Sequence, residues 1–460
     1  MATTSQLEQQ KKGGTGIAIV AMFFLYAMIG FVTNLAAPIG TIWGFYYEGN
    51  SFLGMLGNLM NFIAYLVMGI PSGILLVKIG YKKTSLLAMA VGIVGLFVMW
   101  LSGMGPIGTG AFIVYLIGAL VAGFCMCMLN TVVNPMLNLL GGGGNKGMQL
   151  LQTGGSLNSL AATLAPFLVG ALIGQLTKSS TIADVFPLLW IAMGIFAVAF
   201  VVIWFVHIPE PNQTSGNNTK KVKFEHSPWS FRHTVLGVIG IFIYVGVEVG
   251  IPYTLNFYLS DPNPETGAGV VGKASVIAGA VVAIYWFLML CGRVISSAIS
   301  GKISTRTQLI AVSGAAILFV IGAILSGKET TIEVPTFIYS GEDGALASVP
   351  ISAVYLVLCG LCTSVMWGGI FNLAVEGLGK YTAKASGIFM MMVCGGGIIP
   401  QVQQLIANTV GYMASYWLIV GCLGYIFIYG IWGCINVNTD IPVEDGLDLQ
   451  KESMKEEFVG

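Results

Sequence analysis

The chain has 460 residues, of which 56% are apolar and only 9% charged, and its 20 basic residues balance 20 acidic ones. A water-soluble domain carries about 25% charged residues, so this much apolar surface cannot be hidden in a globular core and must face lipid. Zero net charge supplies no basic field for a nucleic acid, and 62 glycines suit helices that pack backbone to backbone in a membrane.

A membrane-spanning helix needs about 20 predominantly apolar residues. Twelve such stretches are predicted, at 16–42, 52–77, 84–103, 109–139, 147–175, 184–207, 233–259, 272–300, 307–326, 350–376, 384–409 and 414–436. Runs this long satisfy their backbone in lipid only as helices, so an all-α membrane protein with twelve transmembrane helices is expected. Residues 1–15 form a polar, cytoplasmic leader. The first stretch lacks the short apolar core and cleavage site of a signal peptide and is expected to be retained. The polar segment 208–232 divides the stretches six and six, which predicts two six-helix bundles at 16–207 and 233–437, a cytoplasmic central loop, and an acidic cytoplasmic tail at 438–460. A further polar break at 327–349 follows the ninth stretch; like the loop and the tail, it is expected to face solvent.

With both termini inside, 16 of the 20 basic residues fall on the cytoplasmic side, Lys82, Lys83, Lys220, Lys221 and Lys302 among them. Lys178, Lys273 and Lys328 fall outside, and Arg293 lies within a span. The positive-inside rule therefore predicts N-in, C-in. The fifth and eleventh stretches echo one another. Each begins beside a lysine (Lys146, Lys384), carries a glycine pair (Gly154-Gly155, Gly395-Gly396) and then a proline (Pro166, Pro400). Such an echo is expected of two parallel halves with a binding site at the midplane between them.

Soluble-enzyme chemistry is not visible. The eight cysteines all lie in apolar stretches, where packing explains them and no disulfide framework or zinc site is built. His207, His226 and His233 sit near the cytoplasmic face without metal-ligand spacing. Gly141-Gly142-Gly143-Gly144-Asn145-Lys146 follows a membrane helix and lacks the spacing of a nucleotide-binding loop. Neither a cofactor, an enzymatic activity nor ATP-driven transport is expected.

Function is read instead from polar groups placed where lipid should be. Glu248 and Arg293 are the two ionisable side chains well inside the stretches. A carboxylate near the midplane costs roughly 2.5–3.5 kcal/mol on insertion scales, so Glu248 is expected to face a cavity, with a neutral, tied carboxyl as the alternative. Tyr244 and Asn256 extend a polar face from it at spacings of four and eight. Arg293 lies toward the cytoplasmic end of its span, where a long side chain can snorkel or cap helix ends. A gating role is expected there, with Glu376 as a partner for the cation.

Amides form stripes. Asn130, Asn134 and Asn138 recur every four residues, as do, more loosely, Gln149, Gln152, Ser156 and Ser159, and Gln401, Gln404 and Asn408. Asn34, Asn58 and Asn61 add amides in the first two stretches. Each amide donates and accepts at once, which is what replacing water around a sugar hydroxyl requires. Tyr285, Trp286 and Trp367 lie within helices, where a ring face can stack on a pyranose or simply fill the core.

The residues resemble those of the fucose–galactose–glucose:proton symporters of the major facilitator superfamily. The matching segments are Phe23-Phe24-Leu25-Tyr26 with Asn34, Ile70-Pro71-Ser72-Gly73-Ile74-Leu75, Asn134-Pro135, Leu151-Gln152-Thr153, Tyr244-Val245-Gly246, Gly292-Arg293, Ile370-Phe371-Asn372-Leu373-Ala374 and Gly395-Gly396-Gly397-Ile398-Ile399-Pro400. The resemblance implies the major facilitator fold and import of a monosaccharide by alternating access with proton coupling. It also implies a bacterial inner membrane. The sequence departs from the pattern of the family's fucose permeases, which rely on carboxylates in the first and fourth helices. Those positions hold Asn34 and Asn130, and Gly155 stands at the family's fifth-helix Asn, with Asn158 one turn later.

The expected substrate-binding set is therefore Asn34, Asn130, Gln152, Asn158, Tyr244, Glu248, Asn256, Trp286, Trp367 and Gln401. Coupling is expected at Glu248, and gating at Arg293 and Glu376. Three mechanisms stand open. Glu248 carries a proton; or it binds Na⁺ with neighbouring amide oxygens, since hard cations prefer oxygen; or the protein is an uncoupled facilitator. A drug/proton antiporter, which would favour acidic and aromatic cavities over amides, and a sugar sensor, which would be expected to carry a larger signalling domain than the tail, are the readings from other classes. The expected partners are a sugar and the bilayer, and nothing in the sequence demands more than a monomer.

Overall fold

In this computed structural model the described residues are 4–443, apart from 35–38, 40–41, 44–45, 48–50, 174–179, 209, 211–225, 262–264, 266, 271–273 and 336–345. Helices dominate. They are α1 (Thr4–Asn34), α2 (Ser51–Leu101), α3 (Thr109–Leu140), α4 (Gly144–Ile173), α5 (Phe186–Phe205), α6 (Arg232–Ser260), α7 (Ala274–Ile299), α8 (Thr305–Leu325), α9 (Ile351–Val375), α10 (Thr382–Met391), α11 (Gly395–Val410) and α12 (Tyr412–Ile428).

Each of the twelve predicted stretches contains helix. The second and third are joined in α2, whose backbone leaves helical geometry at Gly80 (φ 84°, ψ 174°) between them. The eleventh is split into α10 and α11 by a tight turn, Met392–Cys394, just ahead of Gly395-Gly396-Gly397, where glycines lower helix propensity by about 1 kcal/mol each relative to alanine. Among the described residues, ten segments, counting α2 once and 379–410 once, are long and apolar enough to cross a membrane. The break after the ninth stretch is more ordered than a plain loop. Strands β1 (Thr331–Pro335) and β2 (Leu346–Pro350) pair antiparallel there, Glu333 opposite Ser348.

The chain forms two compact units. One comprises residues 1–231, 375–392 and 436–460; the other comprises 232–374 and 393–435. In the first unit, α2 and α3 approach through small residues. A methyl on Gly95 would lie 2.5 Å from the Ala122 backbone, and one on Gly123 would lie 2.5 Å from the Ala64 side chain. The same device seats α10 on α2, where a Cβ on Gly73 would come within 2.9 Å of Gly387 Cα and Ser386 donates to the Thr131 carbonyl at 3.0 Å. Where no hydrophobic force separates helix from lipid, such close approach supplies the van der Waals and hydrogen-bond terms that hold helices together.

At the Gly80 bend, the Glu210 carboxylate accepts the backbone N–H groups of Tyr81 at 2.7 Å and Lys82 at 2.8 Å. These are orphan donors of a restarting helix. Burial pushes the Glu210 carboxyl above its ordinary value, while the two amides, Lys83 and His207 pull it back in part.

The second unit is built around α6. Along α11, Gly395, Ile399 and Gln403 meet Phe242, Gly246 and Gly250 in steps of four, the spacing that keeps one helical face in contact. On α9, Ser364 packs against Gly292 of α7. The eight cysteines are free, six of them buried.

Candidate functional site

Glu248 of α6 and Arg293 of α7 form an ion pair, Oε1 to Nη2 at 3.5 Å, with side chains 15% and 12% exposed. Arg293, expected toward the cytoplasmic end of its span with Glu376 as a partner, is paired here with Glu248. The physical reason is cost. Each charge alone would be stranded at membrane depth, whereas the pair is neutral as a whole. Glu376 lies exposed just after α9, in the first unit.

Hydroxyls and rings surround the pair. The Tyr244 hydroxyl faces the Glu248 carboxylate without closing a hydrogen bond of normal geometry. The Tyr244 ring lies 6.1 Å from that of Trp367 on α9. Tyr285 donates to the Glu248 backbone carbonyl at 3.2 Å and shares a 3.0 Å hydrogen bond with Thr363. Trp286, packed edge-on against Tyr285 at 5.3 Å, is 38% exposed. The second unit therefore gathers Tyr244, Glu248, Arg293 and Trp367 into one polar, aromatic-walled cluster.

The first unit carries a different arrangement, neutral throughout. Tyr26 of α1 donates to Asn134 Oδ1 at 2.7 Å, Asn134 Nδ2 donates to the Asn130 carbonyl at 2.8 Å, and Asn130 Nδ2 donates to the Tyr65 hydroxyl at 2.7 Å. Asn158 of α4 donates to the Tyr26 carbonyl at 2.9 Å, where Gly30 has no Cβ to obstruct the Asn158 backbone. Asn130 and Asn158 are half-buried, while Asn134 is fully enclosed. Gln152 is also buried, near Met148. The spacing of the stripe was visible in the sequence; its clamps, Tyr26 and Tyr65, were not read as partners, though Tyr26 stands inside a segment that carried the resemblance.

Other expected residues lie elsewhere. Asn256 is exposed and accepts from Ser260 at 3.1 Å. Gln401 is exposed, beside the Tyr253 hydroxyl. The Asn34 side chain lies outside the described residues. Gln403, on the opposite face of α11 from Gln401, is fully buried against Gly250 and was passed over because its neighbours Gln401 and Gln404 made the periodic stripe. Among the described residues, no group of three His, Cys, Asp or Glu side chains could hold a metal ion. A sodium ion at Glu248 would therefore depend on this one carboxylate and neutral oxygens.

Comparison with known proteins adds three findings. The family model described as Major Facilitator Superfamily matches residues 18–400. Among curated relatives, the glucose/galactose transporter of Brucella abortus is 29% identical over 434 residues, 93% of this chain and 96% of the relative. The L-fucose-proton symporter of Escherichia coli is 22% identical, covering 89% of this chain and 91% of the relative. In structure, the chain is similar to an MFS transporter, FucP, in the outward conformation, with TM-score 0.73 at 18% identity, over 90% of this chain and 98% of that one. It is also similar to a bacterial homologue of the iron transporter ferroportin, with TM-score 0.66 at 11% identity, over 91% and 98%. At these identities the two structures share a fold with this chain and say nothing of its cargo.

Proposed function

We propose, given that the chain belongs to the Major Facilitator Superfamily, that it imports a monosaccharide across a bacterial inner membrane by alternating access, coupled to a cation, H⁺ being favoured. The sugar reading is supported by the relatives, which carry glucose/galactose and L-fucose-proton names, and by the two clusters, whose amides and hydroxyls suit sugar hydroxyls and whose Tyr244 and Trp367 rings suit a pyranose face.

The observation that carries the coupling is the enclosed Glu248–Arg293 pair. A proton delivered to Glu248 cancels its charge and releases the Arg293 guanidinium, which then has donors for a sugar oxygen. Loss of that proton on the other side restores the pair and weakens the hold on the sugar. Asn130, Asn158, Gln152, Tyr244 and Trp367 are assigned to substrate, Glu248 to coupling and Arg293 to gating; Asn34, Asn256, Trp286, Gln401 and Glu376 remain candidates of the same scheme.

An uncoupled facilitator is the second reading, favoured by Asn34 and Asn130, neither of which titrates. The test is uptake of labelled glucose, galactose and fucose into proteoliposomes under a proton gradient, a sodium gradient or neither. Proton-driven accumulation that disappears in Glu248→Gln is expected. Acceleration by sodium alone would move the cation to Na⁺, and uptake indifferent to both would establish the facilitator.

A further inference from the structure

The second unit buries more hydroxyl groups than its side chains satisfy. Tyr244, Thr254, Tyr258 and Ser352 are each at most 1% exposed, yet their side-chain oxygens have no hydrogen-bond partner of normal geometry among the described residues. An unsatisfied buried polar group costs about 1–3 kcal/mol, and native proteins hold few of them. Four in one helical unit call for a reason.

They lie in order. Ser352 begins α9 beside Tyr258 near the Ser260 end of α6, and the two hydroxyls face each other. Tyr258 is ten residues from Glu248, about 15 Å along a helix rising 1.5 Å per residue. Tyr416 of α12 reaches into the interval. Its hydroxyl donates to the Ile251 carbonyl at 2.8 Å, and it is close enough to both Tyr258 and Tyr285 to interact with them electrostatically. Tyr285 then touches Thr363 and the Glu248 carbonyl and neighbours Tyr244, which faces the Glu248 carboxylate.

We propose that the buried hydroxyls of Ser352, Tyr258, Tyr416, Tyr285 and Tyr244 form a water-linked proton relay between the Ser260 end of α6 and the Glu248 carboxylate. The inference rests on Glu248 as the coupling residue. A proton entering at Ser352 or Tyr258 shifts one proton at each step. Every hydroxyl accepts on a lone pair and gives up its own hydrogen, so none changes its proton count, and the Glu248 carboxylate ends as a carboxylic acid. Links that the side chains do not close directly are assigned to bridging water, which joins polar groups nearly as well as a direct bond. Arg293 is the charged group facing Glu248, with Tyr244 and Tyr285 as its titratable neighbours. The guanidinium keeps its proton throughout, so among the described residues facing the relay's end the carboxylate is the proton's sink.

Tyr258→Phe and Tyr416→Phe each remove one hydroxyl with little change of volume, at positions assigned no contact with sugar. In proteoliposomes, the parent is expected to accumulate sugar under a proton gradient. Each variant is expected to slow that driven uptake by about tenfold or more, the low end of what a positioned proton-transfer group supplies. Sugar counterflow, which needs no net proton movement, should stay within about twofold of the parent. Unchanged driven uptake in either variant overturns the relay. So does a parallel loss of counterflow, which would make the hydroxyls structural. A parent that the proton gradient does not drive overturns the coupling at Glu248 first, and the relay with it, so the two failures are told apart by the parent alone.

Discussion

The two units solve the same problem, polar groups at membrane depth, in opposite ways. In the first, Asn130, Asn134 and Asn158 are neutral and tied by Tyr26 and Tyr65 through bonds of 2.7–2.9 Å. In the second, a full charge pair sits at 3.5 Å with 12–15% exposure, next to the Tyr244 hydroxyl, which closes no bond of normal geometry. A satisfied neutral network fixes its side chains in place. On the proposed function, a charge pair at the edge of hydrogen-bond distance is the one that a proton or a substrate oxygen parts. The difference separates a region suited to recognition from a region suited to change of state.

Breaking the pair from one side should have the largest effect. Arg293→Ala leaves Glu248 enclosed without its cation, a cost of about 3–5 kcal/mol where a buried partner is removed. Transport is expected to fall by about a hundredfold or more, at 1.4 kcal/mol per factor of ten, together with the melting temperature of the purified protein. The double variant Arg293→Ala, Glu248→Gln removes the stranded charge and should recover the melting temperature while leaving proton-driven uptake absent. A double variant no more stable than Arg293→Ala would mean that the guanidinium matters through other contacts and that the pair is incidental.

The neutral network should respond less, and differently. Tyr26→Phe deletes the donor to Asn134 Oδ1 and takes one hydrogen bond from an enclosed amide, at about 1 kcal/mol. The expected result is a higher KM for sugar with maximal rate and proton dependence preserved, since no charge is touched. Asn134→Leu removes the acceptor of the Tyr26 hydroxyl, at a similar cost. A change in the pH profile of either variant would erase the division of labour between the units.

How much of this was legible in the sequence follows the range of the interactions. Helical stretches and the four-residue spacing of Asn130, Asn134 and Asn138 are local properties, set by hydropathy and by 3.6 residues per turn, and the structure carries helix in each. The pairing of Glu248 with Arg293 joins two helices across 45 residues. Its register depends on tertiary packing that no local pattern records, so Arg293 read as an end-of-helix residue. Gln403 shows a second limit. Periodicity separates the two faces of α11 but cannot say which faces inward when both carry amides, and the buried one is the amide outside the stripe. The strands β1 and β2 were missed for a related reason: a short polar break with an alternating TIEVP segment is weak evidence beside the apolar runs that flank it.

The smallest expected effect lies away from both clusters, at the Gly80 bend. There a third solution appears, a carboxylate held by backbone amides. Glu210 takes both the Tyr81 and Lys82 N–H groups, and a Cβ on Gly80 would come within 2.5 Å of its carboxylate. Its carboxyl is raised chiefly by burial, so the folded chain holds the Glu210 proton more tightly than the unfolded chain, whose glutamates titrate near about 4.3. By linkage, the stability this titration contributes is complete below that unfolded value and is lost as pH rises through the raised folded value. Glu210→Gln keeps the shape but does not titrate, and its single carbonyl cannot accept both amides as the carboxylate does, a loss of about 1 kcal/mol for one hydrogen bond. Melting curves of the two proteins from pH 4 upward should therefore show the parent losing stability relative to Glu210→Gln through the window between the two values, on top of a constant offset that favours the parent. A difference independent of pH would mean that the two amide bonds fully offset the burial of the carboxylate, and that the bend is held by hydrogen bonding alone.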